Sequence, residues 1–230
     1  MALVAETITY SYGGGSSSVP PPEPAVDGFS ASFEHGRVSA IMGPNGCGKT
    51  TLAKLLVGIL KPLHGEVILD GTNLVGLTLA ETGKRVGLVM QQPGRQLFCT
   101  SVKDEIEFGL KCLELSQEET EQRKNKYLEY FGLQQYEDRF PFELSTGEKQ
   151  RLVIAAVVCM QPDYLILDEP TSALDRGRKR ALGALLRRLS KDENTGVILI
   201  SHDEWFVSEY ADGVTVMDHG RIVCRKESMR

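Results

Sequence analysis

The sequence has no Cys-x-x-Cys pair, and its five cysteines, Cys47, Cys99, Cys112, Cys159 and Cys224, are odd in number. This argues against a disulfide framework and a thiolate zinc site, and for reduced thiols in a cytosol-like compartment. No stretch approaches the ~20 apolar residues that a membrane-crossing helix needs. The opening MALVAETITYSY lacks the basic stretch and apolar run of a signal peptide. A soluble protein is expected, or one held at a membrane only by a partner. Positive charge is not in excess: 26 Lys and Arg stand against 31 Asp and Glu, a formal net charge of -5. A general nucleic-acid binder needs the opposite sign. No internal repeat is visible.

What is present suits a packed α/β protein. The chain has 230 residues, 41% hydrophobic and 25% charged, enough for one large domain with a substantial core. Residues 3–12 alternate as a short strand. The run Gly13–Pro24, a Gly/Ser stretch followed by prolines, reads as a flexible surface loop ending in a stiff piece. Phe29–Phe33 and Val38–Met42, with a turn at His35-Gly36, read as a hairpin whose second strand is apolar on both faces. Thr51–Leu60 has helical spacing and meets Pro62. Glu66–Gly71, Arg85–Met90, Tyr164–Asp168 and Val197–Ile200 read as strands. Residues 102–160 are read as mostly helical and inserted in the α/β body, with a capping box at Ser116 and Glu119 and a stop at Gly132. Arg176–Leu189 reads as a basic helix. A hairpin turning at Asp218-His219-Gly220 follows.

Three motifs carry chemistry. Gly43-Pro44-Asn45-Gly46-Cys47-Gly48-Lys49-Thr50 matches G-x-x-x-x-G-K-[ST] between a buried strand and a helix. Glycines let backbone N–H groups turn inward around phosphate oxygens, and the helix N-terminus adds partial positive charge. Lys49 would reach the β- and γ-phosphates and the Thr50 hydroxyl would ligate Mg²⁺. Leu165–Pro170 is an apolar strand ending in two carboxylates. Asp168 suits a Mg²⁺ held through water, and Glu169 a base for the attacking water. Leu144–Arg151, LSTGEKQR, opens a helix at Ser145 and offers a second anion-binding helix end.

In the chain order Gly43–Thr50, Gln91, Leu144–Arg151, Leu165–Pro170, Ser172–Asp175 (SALD) and His202, the chain resembles the ATP-binding cassette (ABC) ATPase subunits. The resemblance covers nearly its whole length. It implies a P-loop NTPase (RecA-like) α/β core with an antiparallel β subdomain and an inserted helical subdomain at about 102–160, in one nucleotide-binding domain spanning 1–230. It implies ATP hydrolysis, with ATP and Mg²⁺ as cofactors. Two chains would sandwich two nucleotides, so Ser145 and Gly147 would contact the γ-phosphate held by the other chain's Lys49. Gln91 would sense that phosphate and Mg²⁺, Asp175 would cross the dimer interface, and His202 would position the water and Glu169. Tyr12 would stack on adenine, and Thr51 would complete the phosphate cradle.

Two departures stand out. The family usually has LSGGQ where this chain has LSTGE, so Glu148 brings a carboxylate near the nucleotide and would weaken its binding. Cys47 replaces the usual Ser or Ala, and a thiol at a helix N-terminus is expected to be acidic and oxidant-sensitive.

Val86–Leu110 is similar to the energy-coupling-factor ATPases, which drive vitamin and transition-metal uptake, through Gln96-Leu97-Phe98 and Asp104-Glu105-x-x-Phe108-Gly109. This implies a groove for a transmembrane coupling protein, with Glu105 meeting an arginine there. It also implies a substrate-binding membrane subunit and a place at the cytoplasmic face of the membrane. The second cassette could be identical or a paralogue. An added C-terminal segment, frequent in that group, is expected to be short or absent. The alternative, a soluble ABC ATPase acting on DNA or ribosomes, lacks a heptad run, a zinc-type cysteine pair, a second cassette and positive charge.

Overall fold

A computed structural model describes residues 2–13, 23–172 and 174–227. Most of the expected Gly13–Pro24 loop (14–22) lies outside them. Two sheets form. The first is antiparallel, in the order β2-β1-β4-β5, from β1 (Ala2–Tyr10), β2 (Val26–Glu34), β4 (His64–Leu69) and β5 (Thr72–Asn73). The second has the order β10-β9-β3-β8-β7-β6. Its strands β3 (Val38–Met42), β6 (Val86–Val89), β7 (Tyr164–Asp168), β8 (Gly196–Ile200) and β9 (Gly213–Asp218) are parallel, and β10 (Arg221–Glu227) turns back antiparallel on β9.

The expected hairpin over 29–42 does not form. β2 joins the antiparallel sheet and β3 the parallel one. The alternation in β2 buries only one face, as suits an outer sheet. β3 is apolar on both faces because it lies inside the second sheet.

Every residue of β7 and β8 is buried. The pleat sorts them. Tyr164, Ile166, Ile198 and Ile200 pack toward the antiparallel sheet and α1 (Lys49–Leu56), with Leu52, Leu55 and Leu56. Leu165, Leu167, Val197 and Leu199 face the other way, against Leu152, Ile154, Leu186 and Leu189. These last four belong to α5 (Thr146–Val158) and α6 (Arg176–Asp192). Each such side chain contributes about 1.5–3 kcal/mol by leaving water.

α1 ends at Leu56, before Pro62, because Gly58 takes a left-handed turn (φ 75°). After α2 (Leu79–Arg85) and β6, the chain leaves the sheet. It forms α3 (Val102–Lys111), α4 (Gln117–Tyr130) and α5 before returning as β7. The Ser116–Glu119 capping box is present, and Gly132 follows α4 at φ 62°. β8 is followed by α7 (Glu204–Tyr210). No described helix is long and apolar enough to cross a membrane.

Candidate functional site

The site lies where β3, β7 and β8 end. Parallel strands aim their carboxyl ends one way, so the loops after them meet at one edge. The loop after β3 is Gly43–Gly48. Its glycines are obligatory at two points. A Cβ at Gly43 would lie 2.2 Å from the Met217 carbonyl oxygen, and one at Gly48 would lie 2.0 Å from that of Ala25. Gly48 has φ 101° and leads into α1. Pro44, Asn45 and Gly46 are exposed at the loop's crest, and Thr50 is exposed on the first turn of α1.

Lys49 is only 7% exposed, yet it forms no ion pair among the described residues. Its Nζ donates to the carbonyl oxygens of Gly43 (2.8 Å) and Pro44 (2.9 Å), lying across the loop. The hydroxyl of Thr50 donates to Asp168 Oδ2 at 2.7 Å. β7 thus brings together two oxygen donors 118 positions apart in the chain. Burial pushes the Asp168 carboxyl up from its ordinary value, against the Thr50 hydrogen bond and the Lys49 charge, which pull it down. Hard oxygen ligands at a desolvated carboxylate fit Mg²⁺, whose charge would offset that burial.

Glu169 follows at once with φ 51°, a left-handed backbone that a non-glycine residue adopts at a cost. Its N–H donates to the Ile200 carbonyl (2.8 Å), fixing the turn against β8. The side chain is buried and neither carboxylate oxygen has a hydrogen-bond donor. His202 Nδ1 stands 2.8 Å from Oε2, an ion-pair distance without hydrogen-bond alignment, and the imidazole is 61% exposed. Gln91 is exposed just beyond β6. Continuing the β6–β7 register (Val89 opposite Leu167) brings it to the same edge as Glu169. Tyr12, half exposed, stands edge-on to Tyr10 at 5.1 Å, and its hydroxyl meets Thr51 Oγ1 at 3.1 Å, over the start of α1.

The structure therefore gathers Lys49, Thr50, Asp168, Glu169 and His202, with Tyr12 and Thr51 to one side. Ser145 and Gly147 are elsewhere. They open a separate cavity between α5 and α6 that no residue of the phosphate loop lines. Asp175 is exposed and caps α6, accepting from the Arg178 N–H (2.9 Å).

Two expectations are corrected and a third is refined. Cys47 is buried, and desolvation pushes its thiol up, outweighing the Lys49 charge. Its side chain belongs to the core rather than to a reactive thiolate. Glu148 does not point free toward a nucleotide. It accepts from the Ser145 N–H (2.8 Å) and hydroxyl (2.7 Å), which holds its carboxyl down at about 2. Glu105 lines the groove with Phe98 and Phe108, and its Oε2 accepts from the N–H groups of Phe98 (3.1 Å) and Cys99 (2.8 Å), so it also shapes that loop. Spacing had no means of pointing to Arg178, whose side chain lies across Gly147 from another helix.

Residues 26–172 match the family model described as ABC transporter. An ABC transporter ATP-binding protein of Pyrococcus abyssi is 46% identical over 187 residues, 81% of this chain and 72% of that one. The energy-coupling factor transporter ATP-binding protein EcfA of Methanothermobacter thermautotrophicus is 40% identical over 90% of this chain and 67% of its own length. Among solved structures, cbiO1 of Clostridium perfringens, described as part of the ABC transporter complex cbiONQ, superposes with a TM-score of 0.88. It is 32% identical, covering 98% of this chain and 88% of that one. The P-loop NTPase architecture, the buried lysine without a counter-ion and the relatives agree: the chain belongs to the ABC transporter family, as an ATP-binding subunit that hydrolyses ATP with Mg²⁺.

Proposed function

We propose that this chain is the ATP-hydrolysing subunit of an energy-coupling-factor-type importer and works as a dimer of cassettes on a transmembrane partner. One observation carries the catalytic part. Lys49 is a buried cation without an anion, and Glu169 a buried carboxylate without a donor, at the same edge of one sheet. Triphosphate oxygens answer the first and an attacking water the second. Gly43 to Gly48 would cradle phosphate, Thr50 and Asp168 would hold Mg²⁺, and Tyr12 and Thr51 would flank the base and α-phosphate. Glu169 would take the water's proton, with His202 and Gln91 orienting the water and γ-phosphate. Mg²⁺, when bound, supplies charge neutralisation at the phosphates.

The separation of Ser145 and Gly147 from the loop supports a shared site. Ser145 is exposed, where another cassette's nucleotide would meet it, and Asp175 is exposed at the start of α6. The whole chain 1–230 would then act as one nucleotide-binding domain.

A membrane partner is supported by the groove lined by Gln96, Phe98, Phe108, Val157 and Met160, of ≈ 450 Å³. Phe98 and Phe108 are exposed and stacked edge to face at 4.8 Å. Exposed aromatics in an apolar groove suit a helix of another protein. EcfA and the cbiONQ component are relatives named for such complexes. The chain would sit at the cytoplasmic face, beside a substrate-binding membrane subunit. The comparisons give the DNA or ribosome alternative no support. Affinity isolation from membranes tests the reading. A hydrophobic subunit should co-purify and be lost with Phe98→Ala/Phe108→Ala, whereas recovery of DNA or ribosomes would overturn it.

A further inference from the structure

Between the last turn of α4, the first turns of α5 and one side of α6 lies a cavity of ≈ 600 Å³. Its mouth touches Ser145, Gly147 and Arg178. Its inner end is lined by Tyr130, Gln150, Arg151, Leu182, Leu185 and Arg188. With a rise of about 1.5 Å per residue, α6 carries Arg188 ~15 Å beyond Arg178, so the inner end is well removed from the mouth. The volume is within the range of small-molecule sites, ~300–1,000 Å³.

The inner end has a surplus of hydrogen-bond donors. Gln150 is 6% exposed and its Nε2 has no acceptor. The Tyr130 hydroxyl is buried and unpartnered. Arg178 and Arg188 have Asp175 and Asp192 at 3.3 and 3.8 Å, whereas Arg151 forms no ion pair among the described residues. Of the two acids in the lining, Glu148 is already engaged by Ser145 and Glu129 is exposed at the end of α4. Buried donors without acceptors are costly unless something supplies the acceptor. Leu174, Ala181, Leu182, Ala184 and Leu185 make the apolar side of the lining, and the Arg188 guanidinium lies 4.4 Å over the Tyr130 ring, forming a flat cationic wall.

We propose that the inner end of this cavity binds a small organic anion with an aromatic or branched apolar body. Its acid group is received by Gln150, Arg151 and Arg188, and its body by Leu182, Leu185 and the Tyr130 ring. The occupant bridges α4 and α5 to α6. On the reading that Ser145 serves another cassette's nucleotide, it holds the first turn of α5 in place and slows ATP turnover.

Fluorescence titration of the full chain with 8-anilinonaphthalene-1-sulfonate, against the neutral N-phenyl-1-naphthylamine, tests the site. The sulfonate should bind at least about tenfold more tightly, as one charge-assisted hydrogen bond allows. Saturating MgATP should leave it bound. Arg151→Met, which removes the charge, and Leu185→Trp, which fills the space, should each weaken it about tenfold. Equal affinity for both probes, displacement by MgATP, or unchanged binding in both variants overturns the proposal. Binding that leaves turnover unchanged overturns the regulatory step and leaves the assignment as an ATPase intact.

Discussion

Glu169 sits in a left-handed turn at the end of β7, buried, with both oxygens lacking a donor. Such strain persists only where the surrounding structure enforces it, here through the bond to Ile200. Glu169→Gln keeps the shape and removes the base. Nucleotide should remain bound while turnover falls by about 10²–10⁴-fold, measured as phosphate release. Undiminished turnover would refute Glu169 as the base. Cys47 yields a second prediction. Its thiol is buried and its ionisation is pushed up, so the thiolate is scarce at neutral pH. Timed alkylation read by mass spectrometry should modify the exposed Cys112 well before Cys47, with or without ATP. Early labelling of Cys47 in the nucleotide-free protein would restore the oxidant-sensitive reading.

At the scale of elements, the first turn of α5 is held by Glu148. A carboxyl held down at about 2 in the fold, against 4.5 ordinarily, stabilises the fold above about pH 4.5. That contribution is lost as pH falls through the interval toward 2. Glu148→Gln should cost about 1 kcal/mol at neutral pH, since a neutral cap replaces a charged one. It should also flatten the acid limb of stability between pH 4.5 and 2, read by denaturant unfolding. A limb as steep as that of the parent chain would show that another carboxylate governs it.

For the whole molecule, Ser145 and Gly147 line a cavity that the phosphate loop does not reach, so on the proposed reading one chain does not close the site. Glu169→Gln with MgATP should therefore shift the chain to a dimer in light scattering, and adding Ser145→Arg should abolish the shift by crowding the opposing nucleotide. A Glu169→Gln chain that stays monomeric at all nucleotide concentrations would count against a self-paired site and point to a paralogous second cassette.

The phosphate loop, the strand ending in Asp168-Glu169 and the helix starting at Ser145 were all legible in the sequence. Each depends on local chemistry: glycine freedom, an apolar strand, a capping residue. The continuous apolar runs of β7 and β8 and the helical stretch 102–160 were legible for the same reason. What needed tertiary structure was which local pieces meet. β2 and β3 are adjacent in sequence and read alike as strands, yet burial on one face or two sent them to different sheets. Glu105 and Glu148 looked like free carboxylates because the N–H and hydroxyl donors that engage them are defined only once the backbone has turned. Cys47 looked reactive from its helix position, and only its packing showed that desolvation outweighs the neighbouring positive charge. The sequence by itself determined the chemical groups available for phosphate and metal. The tertiary structure decided that Lys49, Thr50, Asp168, Glu169 and His202 share one edge while Ser145 and Gly147 line a separate cavity. Parallel strands gather their ends at one edge, and the helical insertion sets the start of α5 on a cavity of its own.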